Sequence, residues 1–175
     1  MLKIIVEGID NVGKSTIAGR LAKHYRLPLY HAERLDRDHM MRIVTDDIIK
    51  CGLMDKGIIF DRYYTSDIVY EPLMKHQPSP LAEHMDVLLS RLDEMEFIYI
   101  TLVCTPAVTI QRYEELGDEL QSLNTILAAA DGYKKLHRLM SCNKILFDVS
   151  ERDVDSNVRI LIELIDQLKT ERGIE

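Results

Sequence analysis

Apolar and polar positions along the chain fall into two alternating rhythms. Leu2-Lys3-Ile4-Ile5-Val6-Glu7 is a nearly continuous apolar run, the pattern of a strand covered on both faces. After a short loop, Ile17, Ala18, Leu21 and Ala22 recur at three- and four-residue spacing, which predicts an amphipathic helix starting near Lys14 and reaching His24. A short second strand is expected over 28–32, then a helix over 36–53 with Met40, Ile43, Ile48 and Ile49 at its apolar positions. Residues 57–61 form a buried run ending in Asp61. Helices are expected over 66–74 and 80–95, with Pro72, Pro78 and Pro80 marking the break between them. Residues 97–103 are the next strand, and Pro106 opens a helix that Gly117 interrupts. A further helical stretch spans 119–140, the last strand 144–149 and the last helix 154–169. Five strands alternating with helices mean an α/β chain: a parallel sheet with helices on both faces and ligands at the carboxyl ends of the strands.

The loop between the first strand and helix carries the clearest chemistry. Gly8-Ile9-Asp10-Asn11-Val12-Gly13-Lys14-Ser15-Thr16 fits G-x-x-x-x-G-K-S/T with a strand before it and a helix after it. The two glycines let backbone N–H groups turn around an anion, and the helix adds its positive end. Lys14 supplies a charge, and the Ser15 hydroxyl is suited to Mg²⁺. A nucleoside triphosphate, with ATP as phosphate donor, is the expected occupant, held by Gly8, Asn11, Val12, Gly13, Lys14, Ser15 and Thr16. The fold class is accordingly a three-layer P-loop NTPase fold with a five-stranded parallel sheet.

Composition narrows the picture further. The 175 residues suit a single domain, and 46% hydrophobic with 29% charged residues is ordinary globular usage. No apolar run reaches the length of a membrane span, and Glu7 and Asp10 interrupt the apolar start, so a cytoplasmic protein with no membrane partner is expected. Cys51, Cys104 and Cys142 lack the close pairing of a zinc site and read as free thiols. A net charge of −7 disfavours a polynucleotide partner, whose phosphates would need clustered Lys and Arg.

The strand-end rule singles out Asp61-Arg62, which should emerge at the same rim as the phosphate loop. A carboxylate there can hold Mg²⁺ through water or orient the nucleophile. A guanidinium can grip an acceptor phosphate in fork geometry. Lys14, Asp61 and Arg62 are therefore the candidate catalytic residues, and Ser15 and Asp61 the candidate metal-holding ones.

With Glu7-Gly8-Ile9-Asp10 through Thr16, the block Asp61-Arg62-Tyr63-Tyr64-Thr65-Ser66-Asp67-Ile68-Val69-Tyr70-Glu71 resembles the thymidylate kinase family. Its members read D-R-Y-x-x-S-x-x-A-Y-Q at this strand. Pro106, Val108, Arg112 and Gly117 fit the segment leading into the family's lid, and Phe147-Asp148-Val149 with Val158 resembles its last strand and helix. The resemblance implies a kinase that moves the γ-phosphoryl group of Mg-ATP to a deoxypyrimidine monophosphate, dTMP or a 5-substituted dUMP, and a homodimer. It implies that Asp10 reaches the deoxyribose 3′-hydroxyl, Arg62 holds the acceptor phosphate, Asp67 meets the base edge and Tyr70 packs beside C2′. Arg112 would lie on the adenine face, and Arg42 would fall where the family's base-holding Arg lies. An acceptor-binding segment over about 31–56 and a lid over about 112–125 follow from the same match.

Departures are concentrated in those two segments. The family's T-R-E-P-G-G is replaced by His31-Ala32-Glu33-Arg34-Leu35-Asp36-Arg37, and its stacking Phe becomes Asp38. Where members carry a catalytic Arg in the loop or lid, this chain has Asn11, or Glu114 and Leu116. A deoxynucleoside kinase and a nucleotide-binding module with weak turnover stay open as alternatives. A GTPase switch does not, since Asn143-Lys144-Ile145-Leu146 lacks the Asp that would read guanine.

Overall fold

A computed structural model describes residues 1–31, 57–118 and 120–174. Five strands form one parallel sheet: β1 (Lys3–Gly8), β2 (Leu29–His31), β3 (Ile58–Asp61), β4 (Ile98–Val103) and β5 (Asn143–Asp148), in the order β2-β3-β1-β4-β5. The register pairs Val6 with Asp61 on one side and with Ile100 on the other, so β1 is the central strand. Every residue of β3 and β4 is buried, on both alternating sets of side chains. That pattern requires cover on both faces of the sheet, and the helices provide it.

Those helices are α1 (Lys14–Tyr25), α2 (Thr65–Lys75), α3 (Met85–Glu94), α4 (Pro106–Leu116), α5 (Leu123–Leu139) and α6 (Val154–Arg172). Helix α1 packs with α6, and α2 with α5. The second pair is unusually close. A Cβ on Gly132 would lie 2.8 Å from the Val69 side chain, so a residue without one is needed at this crossing. Ile4, Ile5 and Val6 on β1, Phe60, Phe97 and Leu102 around them, and Leu161 and Ile165 on α6 form one continuous core.

Two expected boundaries shift, whereas the helix expected over 66–74 is found as α2, which runs through Pro72 to Lys75. Proline removes one backbone bond to the preceding turn, but Val69, Tyr70 and Glu71 are buried just before it and hold the helix together. The stretch 80–95 is a 3₁₀ turn over Pro80–His84 followed by α3, with the Ser79 hydroxyl accepting the N–H of Leu81. The helix expected from 119 begins at Leu123. Asp118 Oδ1 accepts the amides of Leu120 and Gln121 at 2.8 and 2.7 Å, a local turn that competes with helix, and Ser122 then caps α5 through the Thr125 amide. The helix expected over 36–53 lies outside the described residues. Among the described cysteines, Cys104 and Cys142 are free and buried.

Candidate phosphotransfer site

At the carboxyl end of β1 the chain turns into the phosphate loop. Gly8 sits at φ 145°, and a Cβ there would lie 2.4 Å from the Leu102 carbonyl oxygen, so the turn out of the central strand excludes any side chain. Asn11 at φ 60° and Gly13 at φ 96° complete the curl, and α1 starts at Lys14. Ser15 and Thr16 are exposed at the first turn of that helix, where N–H groups and the helix dipole favour an anion.

Lys14 is buried beneath the loop. Its ammonium donates to the Ile9 carbonyl at 2.5 Å and lies 3.7 Å from Asp10 Oδ1. Burial, with Arg62 repelling next, pushes the amine down to about 8, although Asp10, Glu7 and Asp61 pull it the other way.

The second half of the site comes from the end of β3. Arg62 adopts φ 69°, a left-handed conformation that a non-glycine residue takes at a cost, while its N–H keeps the bond to the Val6 carbonyl at 3.0 Å. That corner aims the guanidinium across to the loop, where it donates to Asp10 Oδ1. Burial alone would raise the Asp10 carboxyl, but Lys14 and Arg62 outweigh it and hold it below its ordinary value. The Asp10 amide in turn donates to the Tyr70 hydroxyl at 3.0 Å. Three residues named for the acceptor therefore meet in one network: Asp10, Arg62 and Tyr70.

Asp61 stands beside it. Its Oδ2 is 3.0 Å from His31 Nδ1, and its Oδ1 is buried with no hydrogen-bond partner among the described residues. A buried carboxylate oxygen left without a donor fits a site completed by a hydrated Mg²⁺, a hard cation that keeps most of its water. Among the described residues no group of three or more His, Cys, Asp or Glu could hold a metal unaided.

Glu7 was no candidate on sequence, yet the arrangement hangs on it. Fully buried in β1, its Oε1 accepts the Tyr63 amide and the Thr65 hydroxyl, each at 2.8 Å. Its Oε2 accepts the Ser66 hydroxyl at 2.8 Å and the Tyr133 hydroxyl at 3.2 Å. One carboxylate so joins the phosphate-loop strand, the Asp61-Arg62 corner, the start of α2 and the middle of α5. The signal was present as a lone acid in an otherwise apolar strand.

Between these elements lies a cavity of about 360 Å³. Asp10, His31 and Arg62 line its strand-end side, and Asp67, Tyr70, Glu71 and Met74 line it along α2. Asp118, Leu120 and Gln121, from the expected lid, close it opposite. Arg42 lies outside the described residues. Arg112 is beside the loop: its guanidinium donates to the Val12 carbonyl at 3.0 Å and the Asn11 carbonyl at 3.3 Å. The Asn11 side chain answers by donating to the Gly117 carbonyl at 3.0 Å. Lys135 and Arg138 of α5 face solvent.

No protein-family model matches the sequence, and no curated protein matches it. Solved structures do match the fold. The chain is similar to the YorR protein of Bacillus subtilis, crystallised in complex with phosphorylated GDP, at 21% identity and a TM-score of 0.76 over 93% of this chain and 95% of that one. It is similar to deoxyadenosine kinase of M. mycoides with the products dCMP and dCDP, at 14% identity and a TM-score of 0.68 over 95% and 100%. Thymidylate kinase of Candida albicans matches at 18% identity and a TM-score of 0.67 over 96% and 92%. The chain has a P-loop nucleotide or nucleoside kinase-like fold. At these identities the fold is what the proteins share.

Proposed function

We propose that the chain is a nucleoside monophosphate kinase that transfers the γ-phosphoryl group of ATP to a deoxypyrimidine monophosphate. The observation that carries this reading is the Arg62 guanidinium, turned by a left-handed corner onto Asp10 of the phosphate loop and lining a cavity that adjoins that loop. A fixed guanidinium fork at that distance from a phosphate loop suits an acceptor that brings its own phosphate. The resemblance to thymidylate kinases adds dTMP or a 5-substituted dUMP as the acceptor to try first, and a homodimer as the assembly.

In this reading the loop amides and Lys14 bind the donor phosphates, and Ser15 and Asp61 assist Mg²⁺. When bound, the cation would neutralise charge on the donor phosphates. Arg62 orients the acceptor phosphate so that one of its oxygens bonds to the γ-phosphorus as the bond to the ADP oxygen breaks. Since that oxygen is already anionic, no general base is required, and the protein acts through positioning and charge. Tyr70, whose hydroxyl accepts the Asp10 amide, would pack beside the acceptor sugar, the role the resemblance gives it.

The test is an ADP-release assay with Mg-ATP against deoxynucleoside monophosphates, ribonucleoside monophosphates and free nucleosides, with products confirmed by mass. Turnover of deoxypyrimidine monophosphates is expected. Turnover of free nucleosides alone would replace this reading with a deoxynucleoside kinase. A weakly active binding module is the second reading, favoured by Glu114 and Leu116 where the resembled family's lid carries its Arg and by Asp118 on the cavity wall. Tight ATP binding with no turnover of any acceptor would select it.

A further inference from the structure

Two helices carry the facing walls of the cavity. Ser66, Tyr70 and Met74 line it from α2, and Asp118, Leu120 and Gln121 stand just before α5. The contacts between the two helices run in opposite order along them. The Gln121 amide donates to the Met74 sulfur at 3.0 Å, Gly132 meets Val69, and Tyr133 meets Tyr70 and Ser66. The seam is therefore antiparallel, and on the α2 side it runs about 12 Å from Ser66 to Met74, at about 1.5 Å per residue.

Tyr133 closes the inner end of that seam. It is 1% exposed and lies behind the cavity wall rather than on it. Its ring meets the Tyr70 ring edge-on, with centroids 6.1 Å apart and planes at 73°. Its hydroxyl is 2.9 Å from the Ser66 hydroxyl and donates to Glu7 Oε2 at 3.2 Å. Burial, with Glu7 next, holds the phenol well above its ordinary value, so it keeps the proton it donates. Ser66 and Tyr70 are four residues apart on one face of α2, so a single side chain of α5 backs two residues of the cavity wall. One position earlier Gly132 lets the helices approach, since a Cβ there would lie 2.8 Å from the Val69 side chain. A close-packed seam has no slack, and a change in one of its members is passed to the wall in front of it.

We propose that Tyr133 is a positioning residue for the acceptor: it sets the distance between the two walls of the cavity and touches no substrate itself. This rests on the reading of the cavity as the acceptor site. Glu7 fixes the strand-end corner, whereas Tyr133 fixes the α2 wall that leads away from it. Its hydroxyl and its ring have separable duties. Without the hydroxyl, Ser66 still donates to Glu7 Oε2 at 2.8 Å and stays in place. Without the ring, Tyr70 loses the surface it leans on, and the bond from the Asp10 amide is left to hold it. The donor side is built from the loop glycines, Lys14 and α1, so the effect falls on the acceptor.

The experiment is steady-state kinetics of the full chain with Mg-ATP and the monophosphate it uses best, in native, Tyr133→Phe and Tyr133→Leu forms. Tyr133→Leu should raise KM for the acceptor by about tenfold or more, with KM for ATP within about twofold and kcat within about threefold. Tyr133→Phe keeps the ring and should bring acceptor KM back to within about threefold of native. Gly132→Ala presses on Val69 and disturbs the same seam from its neighbour, so it should raise acceptor KM with the same selectivity, and adding Val69→Ala should reverse that rise. This pair carries the test should Tyr133→Leu fail to fold. Unchanged acceptor KM in the folded variants, or KM for ATP and acceptor rising together, overturns the proposal and leaves Tyr133 as core packing. A native chain that uses nucleosides in place of monophosphates overturns the monophosphate reading alone, because the same KM split measured with the nucleoside still decides the role of Tyr133. Absence of turnover with every acceptor overturns both.

Discussion

Glu7 accepts the backbone amide of Tyr63 at 2.8 Å, across 56 positions of sequence. That bond fixes the Asp61-Arg62 corner to the strand that ends in the phosphate loop, so donor and acceptor groups share one rigid anchor. Glu7→Gln would set an amide N–H₂ among groups that need an acceptor. Loss of charge-assisted bonds at a buried site should cost about 2–4 kcal/mol of stability, measurable by urea unfolding. Since the loop keeps its own glycines while the corner loosens, KM for the acceptor should rise more than KM for ATP. A stability loss with the two KM values moving together would make Glu7 a packing residue only.

If Lys14 meets triphosphate as proposed, its depressed amine should make that binding proton-linked. An amine at about 8 in the folded chain against an ordinary 10.5 leaves the unfolded chain binding more protons between those values. Stability from this group therefore rises with pH through that window, and below it the cost of the buried charge is fully present. Phosphates beside the ammonium pull its pKa back up, so ATP binding should take up a fraction of a proton at about pH 8.5 and almost none near pH 6.5. Calorimetry in buffers of different ionisation enthalpy measures that uptake directly. Lys14→Met should abolish it. Uptake that persists in Lys14→Met would assign the proton elsewhere.

Arg62 is expected to separate the two substrates cleanly. Arg62→Ala removes the fork from the acceptor side but leaves the glycines, the loop amides and Lys14 in place. Acceptor kcat/KM should fall by at least about 100-fold while the Kd for ATP stays within about threefold. Equal losses in both would remove the acceptor role. Tyr70→Phe is milder: the Asp10 amide loses its hydroxyl partner, worth about 1 kcal/mol.

The legible part of this fold is the local part. Gly8 to Thr16 is contiguous, and its glycines, Lys14 and flanking apolar pattern state the turn and its purpose within nine positions. The apolar runs ending at Glu7, Asp61 and Val103 fix three strands, and the carboxyl-end rule brings Arg62 to the loop. What was not legible is long-range or competitive. The four partners of Glu7 come from the turn after β3, from α2 and from α5, and no spacing rule connects them. Pro72 falls inside the helix expected over 66–74, and the burial of Val69, Tyr70 and Glu71 is what lets α2 carry it. Asp118 delayed α5 because side-chain bonds to the Leu120 and Gln121 amides outcompete helix propensity there.

The phosphate loop and the turn that ends α4 at Gly117 are clasped directly, and the clasp can be cut without disturbing the backbone. Asn11 holds a left-handed φ of 60°, which Asn tolerates better than most residues, and its side chain donates to the Gly117 carbonyl at 3.0 Å. Arg112 binds the loop from the other side through the Val12 and Asn11 carbonyls. Asn11→Gly keeps the backbone conformation unstrained and deletes only the clasp, whereas Asn11→Ala deletes the clasp and adds the strain of a left-handed alanine, about 1 kcal/mol or more. Both variants should speed hydrogen exchange at the Gly117, Leu120 and Gln121 amides and raise KM for ATP by a similar factor. Only Asn11→Ala should also lower the unfolding midpoint appreciably. Unchanged exchange at those amides in Asn11→Gly would show that Gly117 is held by α4 alone, and that the phosphate loop does not act on the segment after α4 through this bond.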